Sequence, residues 1–204
     1  MEQFLAILFG FVCGSIPFGL ILTRAAGLGD VRSIGSGSIG ATNVLRTGNK
    51  WLALATVVLD ALKGVVPVML VPYLFEVPSC GDPDAYAHLP GVAAVGAVAG
   101  HCFTPWLKFQ GGKGFATAAG VLGALNWPLM LLCAGIWAAV LAVSRISSVS
   151  SMTTVVAAPI AAAAFGHFDL IWPLVAIAAI VLVQHRANIG RLMRGEEPKV
   201  GAKK

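Results

Sequence analysis

A lysine framed by glycines is the first segment of this sequence whose residue types could do chemistry. The segment FQGGKGFAT places Gly111, Gly112 and Gly114 around Lys113. Glycine weakens a helix by up to about 1 kcal/mol relative to alanine, so the spacing indicates a backbone that leaves regular helix for a reason. Exposed backbone N–H groups beside a fixed ammonium charge are the components of an anion site. The segment therefore predicts a phosphate-binding loop.

Two further segments combine small polar residues with basic ones. SIGSGSIGATNVLRTG, residues 33–48, ends close to Arg46, and HRANIGRLMRGEEPKVG, residues 185–201, carries His, Asn and Arg side chains. The polar donors among the glycines of the first segment are Ser36, Ser38, Thr42 and Asn43. Arginine offers phosphate a fork of donors, and lysine offers a point charge. The alternatives are a flexible linker for residues 33–48 and topology determinants for the basic residues.

Several familiar chemistries are excluded by the residues around these segments. A nucleotide P-loop needs G-x-x-x-x-G-K-[ST], but Lys113 is followed by Gly114 and lacks the earlier glycine. None of the four histidines has Asp five residues on, as the commonest membrane acyltransferases require. G-x-S-x-G, H-E-x-x-H and clustered Cys/His ligands are also absent. The cysteines are scattered as Cys13, Cys80, Cys102 and Cys133. We expect chemistry built from Ser, Arg, Lys, His and Asn, with neither metal nor cofactor.

The composition determines which kind of protein must hold these segments. The chain is 57% hydrophobic and 11% charged, with a mean hydropathy of +0.84. Soluble domains carry roughly 25% charged residues, so this is an integral membrane protein. The N-terminus lacks a basic region and a cleavage site before a polar domain, which favours a first span over a removable signal peptide.

Apolar runs predict an all-α, polytopic fold of seven transmembrane helices in one domain, residues 1–204. A span needs about 20 apolar residues, fewer where it is short or re-entrant. The spans are residues 3–23, 51–75, 86–107, 114–126, 128–144, 149–166 and 170–186. The join at Asn126-Trp127-Pro128 allows either a tight turn between two helices or a kink in one.

Basic residues decide between these alternatives and orient the chain. With seven spans and the N-terminus outside, in the periplasm, the inner side receives Arg24, Arg32, Arg46, Lys50, Lys108, Lys113, Arg145, Arg186, Arg191, Arg194, Lys199, Lys203 and Lys204. Of the 14 basic residues only Lys63 remains, inside the second span. Merging the fourth and fifth spans would move Arg145 and the basic tail outside, against the positive-inside rule. The C-terminus and the three polar segments are therefore predicted to be cytoplasmic. The outer loops carry Glu76, Asp82, Asp84 and Asp169, which support this only weakly.

Two charged residues lie within the second span. Asp60 and Lys63 are spaced i, i+3 and can pair on one helix face. Charge inside a membrane is costly and faces a partner or a cavity. The pair therefore either fixes helix packing or supports the polar site. His101, just before the glycine–lysine segment, is more typical of a packed or hydrogen-bonded histidine than of a catalyst.

Together the three segments resemble a known family. SGSIGATNVLR, GHCFTPWLKFQGGKGFAT and HRANIGRLMRGEEPKVG are similar, in order and spacing, to the signature segments of the bacterial acyl-phosphate:glycerol-3-phosphate acyltransferases. The resemblance covers essentially the whole chain. It implies a seven-helix, multi-pass enzyme of the bacterial inner membrane. Such an enzyme moves a fatty acyl group from acyl phosphate to the sn-1 hydroxyl of glycerol 3-phosphate, giving lysophosphatidic acid and phosphate in the first acylation of phospholipid synthesis.

The resemblance also implies roles for individual residues. The catalytic set is Ser36, Arg46, Lys113, His185 and Asn188. The substrate-binding set is Gly40, Thr42, Asn43, Gly111, Gly112, Gly114, Thr117, Ser148 and Arg191. The supporting set is Asp60, Lys63, His101 and Glu197. The sequence departs from the family pattern at Ser38, Gln110 and Ile146-Ser147, which concerns fine substrate contacts more than the reaction.

Acyl phosphate is a mixed anhydride with a good leaving group, so positioning and charge stabilisation suffice for its chemistry. We expect direct attack by the glycerol hydroxyl, with Arg46 and Lys113 neutralising phosphate and Ser36 or Asn188 donating to the oxyanion. His185 acts as base or orients a substrate, and an acyl-serine on Ser36 is the rival mechanism. The acyl chain stays in the lipid between helices.

Two other functions use some of the same features. A carrier for phosphorylated metabolites would use the basic loops and the intramembrane pair, but carriers bind near the midplane and often show repeated halves. A lipid-binding scaffold would need the basic tail but not the glycine–lysine segment. The expected partners are acyl phosphate, glycerol 3-phosphate and membrane lipid, with a soluble phosphate acyltransferase as supplier and no nucleic acid.

Overall fold

The computed structural model describes residues 1–75 and 88–201, and every regular element in these ranges is helical. The predictions for Glu76, Cys80, Asp82, Asp84, Lys203 and Lys204, and for the start of the third span, lie outside the described residues. The α-helices are α1 (Glu2–Gly14), α2 (Phe18–Ala25), α3 (Ala41–Val44), α4 (Lys50–Leu74), α5 (Leu89–Cys102), α6 (Phe115–Leu125), α7 (Trp127–Ser144), α8 (Ser147–Ala164), α9 (Ile171–Gln184) and α10 (Arg186–Met193).

Long apolar helices dominate the described part of the chain. Four segments there have the length and hydropathy to cross a membrane: Glu2–Ala25, Lys50–Leu74, Trp127–Ser144 and Ser147–Ala164. The segments Phe168–Gln184 and Arg186–Met193 form a fifth candidate that bends by 59°. Helix α6 is apolar but only 11 residues long. The prediction of an all-helical integral membrane protein is confirmed, while the count of seven spans and the orientation stay predictions.

The join between the fourth and fifth predicted spans is a turn between two helices. Helix α6 ends at Leu125, Asn126 is extended (φ −157°, ψ 94°), and α7 begins at Trp127. The Oδ1 of Asn126 accepts a hydrogen bond from the backbone N–H of Leu129 at 2.9 Å. Pro128 lies in the first turn of α7, where a missing N–H leaves no helical bond unmade.

The first predicted span, residues 3–23, matches the candidate span Glu2–Ala25, but it is broken into two helices. Helix α1 ends at Gly14 and α2 begins at Phe18. Pro17 has no N–H to donate and disfavours helical backbone at Ile16. A break in an apolar segment leaves carbonyls without helical partners. The Lys63 ammonium of α4 meets this need by donating to the Ile16 carbonyl at 2.7 Å, and it lies 5.8 Å from the centre of the Phe18 ring.

Helices α1 and α5 pack backbone against backbone. Each carries two glycines spaced i, i+4, which are Gly10, Gly14, Gly96 and Gly100. A Cβ at any of the four would overlap a backbone carbonyl of the facing helix. Small residues at this spacing allow the close approach that drives helix association in lipid. The contact fixes the last turn of α5, which carries His101.

Two polar segments that lack apolar periodicity are nevertheless folded. Residues 33–48 contain α3 and a 3₁₀ turn at Leu45–Thr47, so the flexible-linker alternative is wrong. Residues 185–201 begin with α10, which follows α9 after the bend at His185. Both segments therefore present their side chains from defined backbone positions.

Candidate active site

Asn43 organises the first polar segment from inside. Its side chain is buried, and the two hydrogens on Nδ2 are shared among the carbonyl oxygens of Val31, Ile34 and Ser38, at 2.7, 3.1 and 2.8 Å. Its Oδ1 accepts from the backbone N–H of Ser36 at 3.1 Å and from the Arg46 guanidinium at 3.0 Å. These bonds use the hydrogen-bonding capacity of the amide within the loop. Asn43 therefore holds Ser36 and Arg46 in place, which differs from its predicted role as a substrate ligand.

The residues that Asn43 holds face outward. Ser36, Thr42 and Arg46 are all exposed. Gly40 precedes α3, and its N–H donates to the Ser38 hydroxyl at 3.3 Å. A Cβ at Gly35 would overlap the Arg46 guanidinium, so that side chain lies directly across the loop backbone. A guanidinium has five N–H donors, and the bond to Asn43 leaves it able to bind an anion.

The glycine–lysine segment folds back on the end of α5. The N–H of Gly111 donates to the Cys102 carbonyl at 3.1 Å, and that of Gly112 donates to the His101 carbonyl at 3.0 Å. Carbonyls in the last turn of a helix lack partners within it. The expectation of two free N–H groups for an anion is therefore wrong, because both groups cap α5. Their contribution is to hold the loop that carries Lys113.

Gly114 connects this loop to α6 in a left-handed conformation, with φ of 84°. Glycine adopts such a conformation without steric strain. The side chains of Val98, Cys102 and Val181 surround the position that a Cβ would take. Any larger residue would strain the backbone, and its side chain would press against α5 and α9.

Lys113 lies where three chain segments bring charge together. Burial lowers the pKa of its ammonium, and the charges of Arg191 and Arg46 lower it further, while Glu197 opposes them. Like charges so close in a partly buried place repel one another. A site with this excess of positive charge is suited to bind an anion.

Glu197 ties the third polar segment to the start of α8. Its Oε1 accepts from the Ser148 hydroxyl and from Asn188 Nδ2, each at 2.6 Å. Its Oε2 accepts from Arg191 Nε at 2.7 Å. Burial raises the pKa of this carboxyl, but the three hydrogen bonds outweigh burial and leave the pKa below its ordinary value of 4.5. The predicted supporting role of Glu197 agrees with this geometry.

His185 lies at the bend between α9 and α10. It is 2% exposed, and Nδ1 lies 2.8 Å from the Val181 carbonyl oxygen. A carbonyl only accepts, so this contact assigns the hydrogen to Nδ1 and leaves a lone pair on Nε2. The charges of Lys113 and Glu197 lie close enough to act on the ring. The structure thus brings His185, Asn188 and Lys113 into one region.

Thr117 lies apart from this group. It is fully buried in α6, where its carbonyl and methyl group pack against Gly64 of α4. Its hydroxyl has no hydrogen-bond partner among the described residues. The structure therefore places this predicted substrate-binding residue in a helix–helix contact, one turn beyond Lys113.

The three remaining supporting residues form a buried cluster. The Lys63 ammonium lies 2.8 Å from Asp60 Oδ1, and both side chains are at most 3% exposed. His101 Nδ1 lies 3.7 Å from the same carboxylate oxygen. The pairing predicted from the i, i+3 spacing is confirmed, and His101 joins it from α5.

An apolar cavity of about 150 Å³, which the sequence did not predict, lies between α6, α7, α8 and α9. Its wall begins at Phe115, two residues after Lys113, and includes Trp137 of α7. The two rings stack with centroids 6.1 Å apart, and Trp137 Nε1 donates to the Ser151 hydroxyl at 3.3 Å. In a chain this rich in apolar residues, no sequence signal separates those lining a cavity from those facing lipid.

Comparison with known proteins gives one consistent result. The model of the family described as glycerol-3-phosphate acyltransferase matches residues 4–195. A glycerol-3-phosphate acyltransferase of Erythrobacter litoralis is 55% identical over 203 residues, covering 100% of this chain and 98% of the relative. One of Mesorhizobium japonicum is 50% identical, covering 98% and 96%.

A solved structure agrees with these matches. The crystal structure of PlsY (YgiH), an integral membrane glycerol 3-phosphate acyltransferase in its glycerol 3-phosphate form, aligns with a TM-score of 0.86 at 30% identity. The alignment covers 98% of this chain and 96% of that chain. With near-complete coverage in sequence and in structure, the chain belongs to the glycerol-3-phosphate acyltransferase family and is an integral membrane acyltransferase.

Proposed function

We propose that this protein transfers a fatty acyl group from acyl phosphate to the sn-1 hydroxyl of glycerol 3-phosphate, releasing lysophosphatidic acid and inorganic phosphate. One observation carries the proposal: the charges of Arg46 and Arg191 act on Lys113, and the wall of an apolar cavity begins at Phe115, two residues further along the chain. Both substrates carry phosphate, and the acyl donor also carries a long apolar chain. Few other substrate pairs need cations and an apolar cavity at adjacent places.

Each substrate part has a matching surface. Arg46 and Lys113 present a guanidinium fork and a point charge to phosphate oxygens. Nε of Arg191 is held by Glu197, which orients the rest of its guanidinium. The cavity wall of Phe115 and Trp137 offers the acyl chain a place between the helices, where the chain was expected to lie in lipid. This placement puts the carboxyl end of the chain near Lys113.

Direct transfer requires one bond to form and one to break. The glycerol hydroxyl oxygen attacks the acyl carbon, the bond from that carbon to the phosphate oxygen breaks, and phosphate leaves. Nε2 of His185 carries the lone pair that could accept the hydroxyl proton. Fixed cations stabilise the negative charge that develops on the carbonyl oxygen and on the leaving phosphate.

The rival mechanism passes through an acyl-serine on Ser36. Its hydroxyl is exposed, and the backbone of Ser36 is held by Asn43. We favour direct transfer because the described structure pairs no histidine or lysine with this hydroxyl, as serine activation requires. Incubation with radiolabelled palmitoyl phosphate alone would decide the matter. A covalent acyl-protein lost in Ser36→Ala would replace direct transfer with the two-step route.

The location of the reaction is also a proposal. The basic residues of the polar segments favour the cytoplasmic side of the inner membrane, with the N-terminus in the periplasm. Acyl phosphate would then arrive from the cytoplasm, where a soluble phosphate acyltransferase is the expected supplier. Impermeant reagents applied to inside-out and right-side-out vesicles carrying a single Thr42→Cys label would locate the segment 33–48.

The decisive experiment measures inorganic phosphate released by the purified protein from palmitoyl phosphate, with and without glycerol 3-phosphate. Release should require glycerol 3-phosphate and should fall at least about a hundredfold in Lys113→Ala, since a charge that stabilises the transition state is lost. Lys50→Ala is the matched control, because Lys50 is an exposed lysine at the start of α4. Folded protein that releases no phosphate with any of several acyl lengths would overturn the proposal and favour a carrier.

A further inference from the structure

The contact between His101 and Gly112 links the buried charge cluster to the loop of Lys113. We propose that His101 is a positioning residue whose ring sets the place of the Gly111–Gly114 loop, and through it the place of Lys113. This inference rests on the proposed function, because it assigns the cluster of Asp60, Lys63 and His101 a purpose in phosphate binding. Helix packing alone would not need these groups.

The ring of His101 is held from two sides. The preceding residue, Gly100, is locked against the α1 backbone, where a Cβ would overlap the Phe11 carbonyl. On the other side, Asp60 Oδ1 lies 3.7 Å from His101 Nδ1, and Lys63 holds that carboxylate at 2.8 Å. Lys63 is fixed in turn by the Ile16 carbonyl. The imidazole thus has an anchor that reaches across α4 to the break in the first span.

The loop lies directly on this anchored ring. A Cβ placed on Gly112 would overlap the His101 ring at Nε2, so the ring occupies the space that any side chain would need. The same residue also accepts the Gly112 N–H through its carbonyl, at 3.0 Å. His101 therefore contacts the residue before Lys113 with both its backbone and its side chain.

The cost of the cluster argues against a role in packing alone. His101 Nδ1 is buried without a hydrogen-bond partner among the described residues, 3.7 Å from the Asp60 Oδ1 that pairs with Lys63. Apolar residues of similar volume pack as well or better than a buried ion pair. A cluster that holds a loop in one position needs directional polar contacts, which apolar residues do not provide. The cluster fits that second purpose.

The position of Lys113 depends on where this loop lies. Its charge interacts with Arg46 and Arg191, which belong to two other segments. A shift of about 1 Å in such a group can reduce a rate on the order of a hundredfold. If the ring sets the loop, altering either side of the contact should weaken glycerol 3-phosphate binding before it lowers thermal stability.

A double-mutant cycle tests this directly. Gly112→Ala adds a methyl group where the ring lies, and His101→Ala removes the ring. Each single variant should raise the KM for glycerol 3-phosphate at least about tenfold with a smaller change in kcat. In H101A/G112A the methyl group fills part of the vacated space, so the KM should return toward the wild-type value. Gly123→Ala is the matched control, because among the described residues a Cβ at Gly123 meets only Met130, at 3.6 and 3.8 Å.

The outcomes separate this inference from the proposed function. Wild-type protein that shows no phosphate release dependent on glycerol 3-phosphate removes the proposed function, and the inference with it. Active wild-type protein whose double variant is no better than the worse single variant overturns the inference alone. Single variants that lower the unfolding temperature while leaving KM unchanged also overturn it, since His101 would then serve stability only.

Discussion

Replacing Glu197 by glutamine keeps the shape of the side chain but removes one of its two acceptor oxygens. In the structure those oxygens accept three hydrogen bonds, from Ser148, Asn188 and Arg191. If the glutamine oxygen serves Ser148 and Asn188, its NH₂ group faces the Arg191 Nε donor. The substitution therefore loses at least one charge-assisted hydrogen bond and sets two donors against each other.

The magnitude follows from that loss. A hydrogen bond to a charged group contributes about 1.5–3 kcal/mol, and the Glu197 side chain is only 7% exposed. At 2–4 °C per kcal/mol for a chain of this size, E197Q should lower the unfolding temperature by about 3–12 °C. Glu196→Gln is the matched control, because Glu196 pairs with Arg194 at an exposed place, where both side chains are more than half exposed. Exposed pairs contribute about 0–1 kcal/mol, so E196Q should shift the temperature far less.

The assay can use the buried free thiols of the protein. Cys102 and Cys133 are buried, so a thiol-reactive fluorophore in detergent reports unfolding as they become exposed. The pH dependence of unfolding gives a second test of this role. The folded pKa of Glu197 lies below its ordinary value, so its contribution to stability is present above about pH 4.5 and is lost as the pH falls through the folded pKa. The gap between wild type and E197Q should shrink in that range. Equal shifts for E197Q and E196Q, or a gap that widens in acid, would contradict this role of Glu197.

Three further outcomes follow from the same structure. Lys63→Met leaves Asp60 buried without its cation and should lower stability by about 3–5 kcal/mol, while Asp60→Asn/Lys63→Met should lower it less; equal unfolding temperatures would contradict this. Asn43→Ala removes the hydrogen bonds that hold residues 33–48, so trypsin should cut after Arg46 faster in native protein; an unchanged rate would show that the loop is held elsewhere. Gly14→Leu overlaps the Ala97 carbonyl and should reduce the yield of folded protein, whereas Gly135→Leu, whose Cβ meets nothing within 4 Å in the described part of the chain, should not.

The sequence predicted well where one physical rule acts over many residues. Hydropathy and the distribution of basic residues separated α6 from α7 at Asn126, and the structure has the turn there. Spacing alone paired Asp60 with Lys63. These predictions succeeded because span length and helical periodicity depend on local sequence.

The sequence predicted less where the outcome depends on distant partners. The break at Pro17 was missed, since summed hydropathy does not register a lost helical bond, and the Lys63 ammonium that stabilises it comes from another helix. The N–H groups of Gly111 and Gly112 bind carbonyls of α5. The linear sequence does not show that these groups are close in space. Asn43 had the residue type of a ligand, but its neighbours in space take its hydrogen bonds.

The glycine contact between α1 and α5 imposes an order on biosynthesis. Helix α1 leaves the ribosome first, yet the surface that fits Gly10 and Gly14 belongs to α5, which follows only after α4. At a synthesis rate of roughly 5–20 residues per second, the first helix waits in the membrane for several seconds with its glycine face against lipid. The last turn of α5, and the loop of Lys113 that it caps, therefore reach their final positions only after that late pairing.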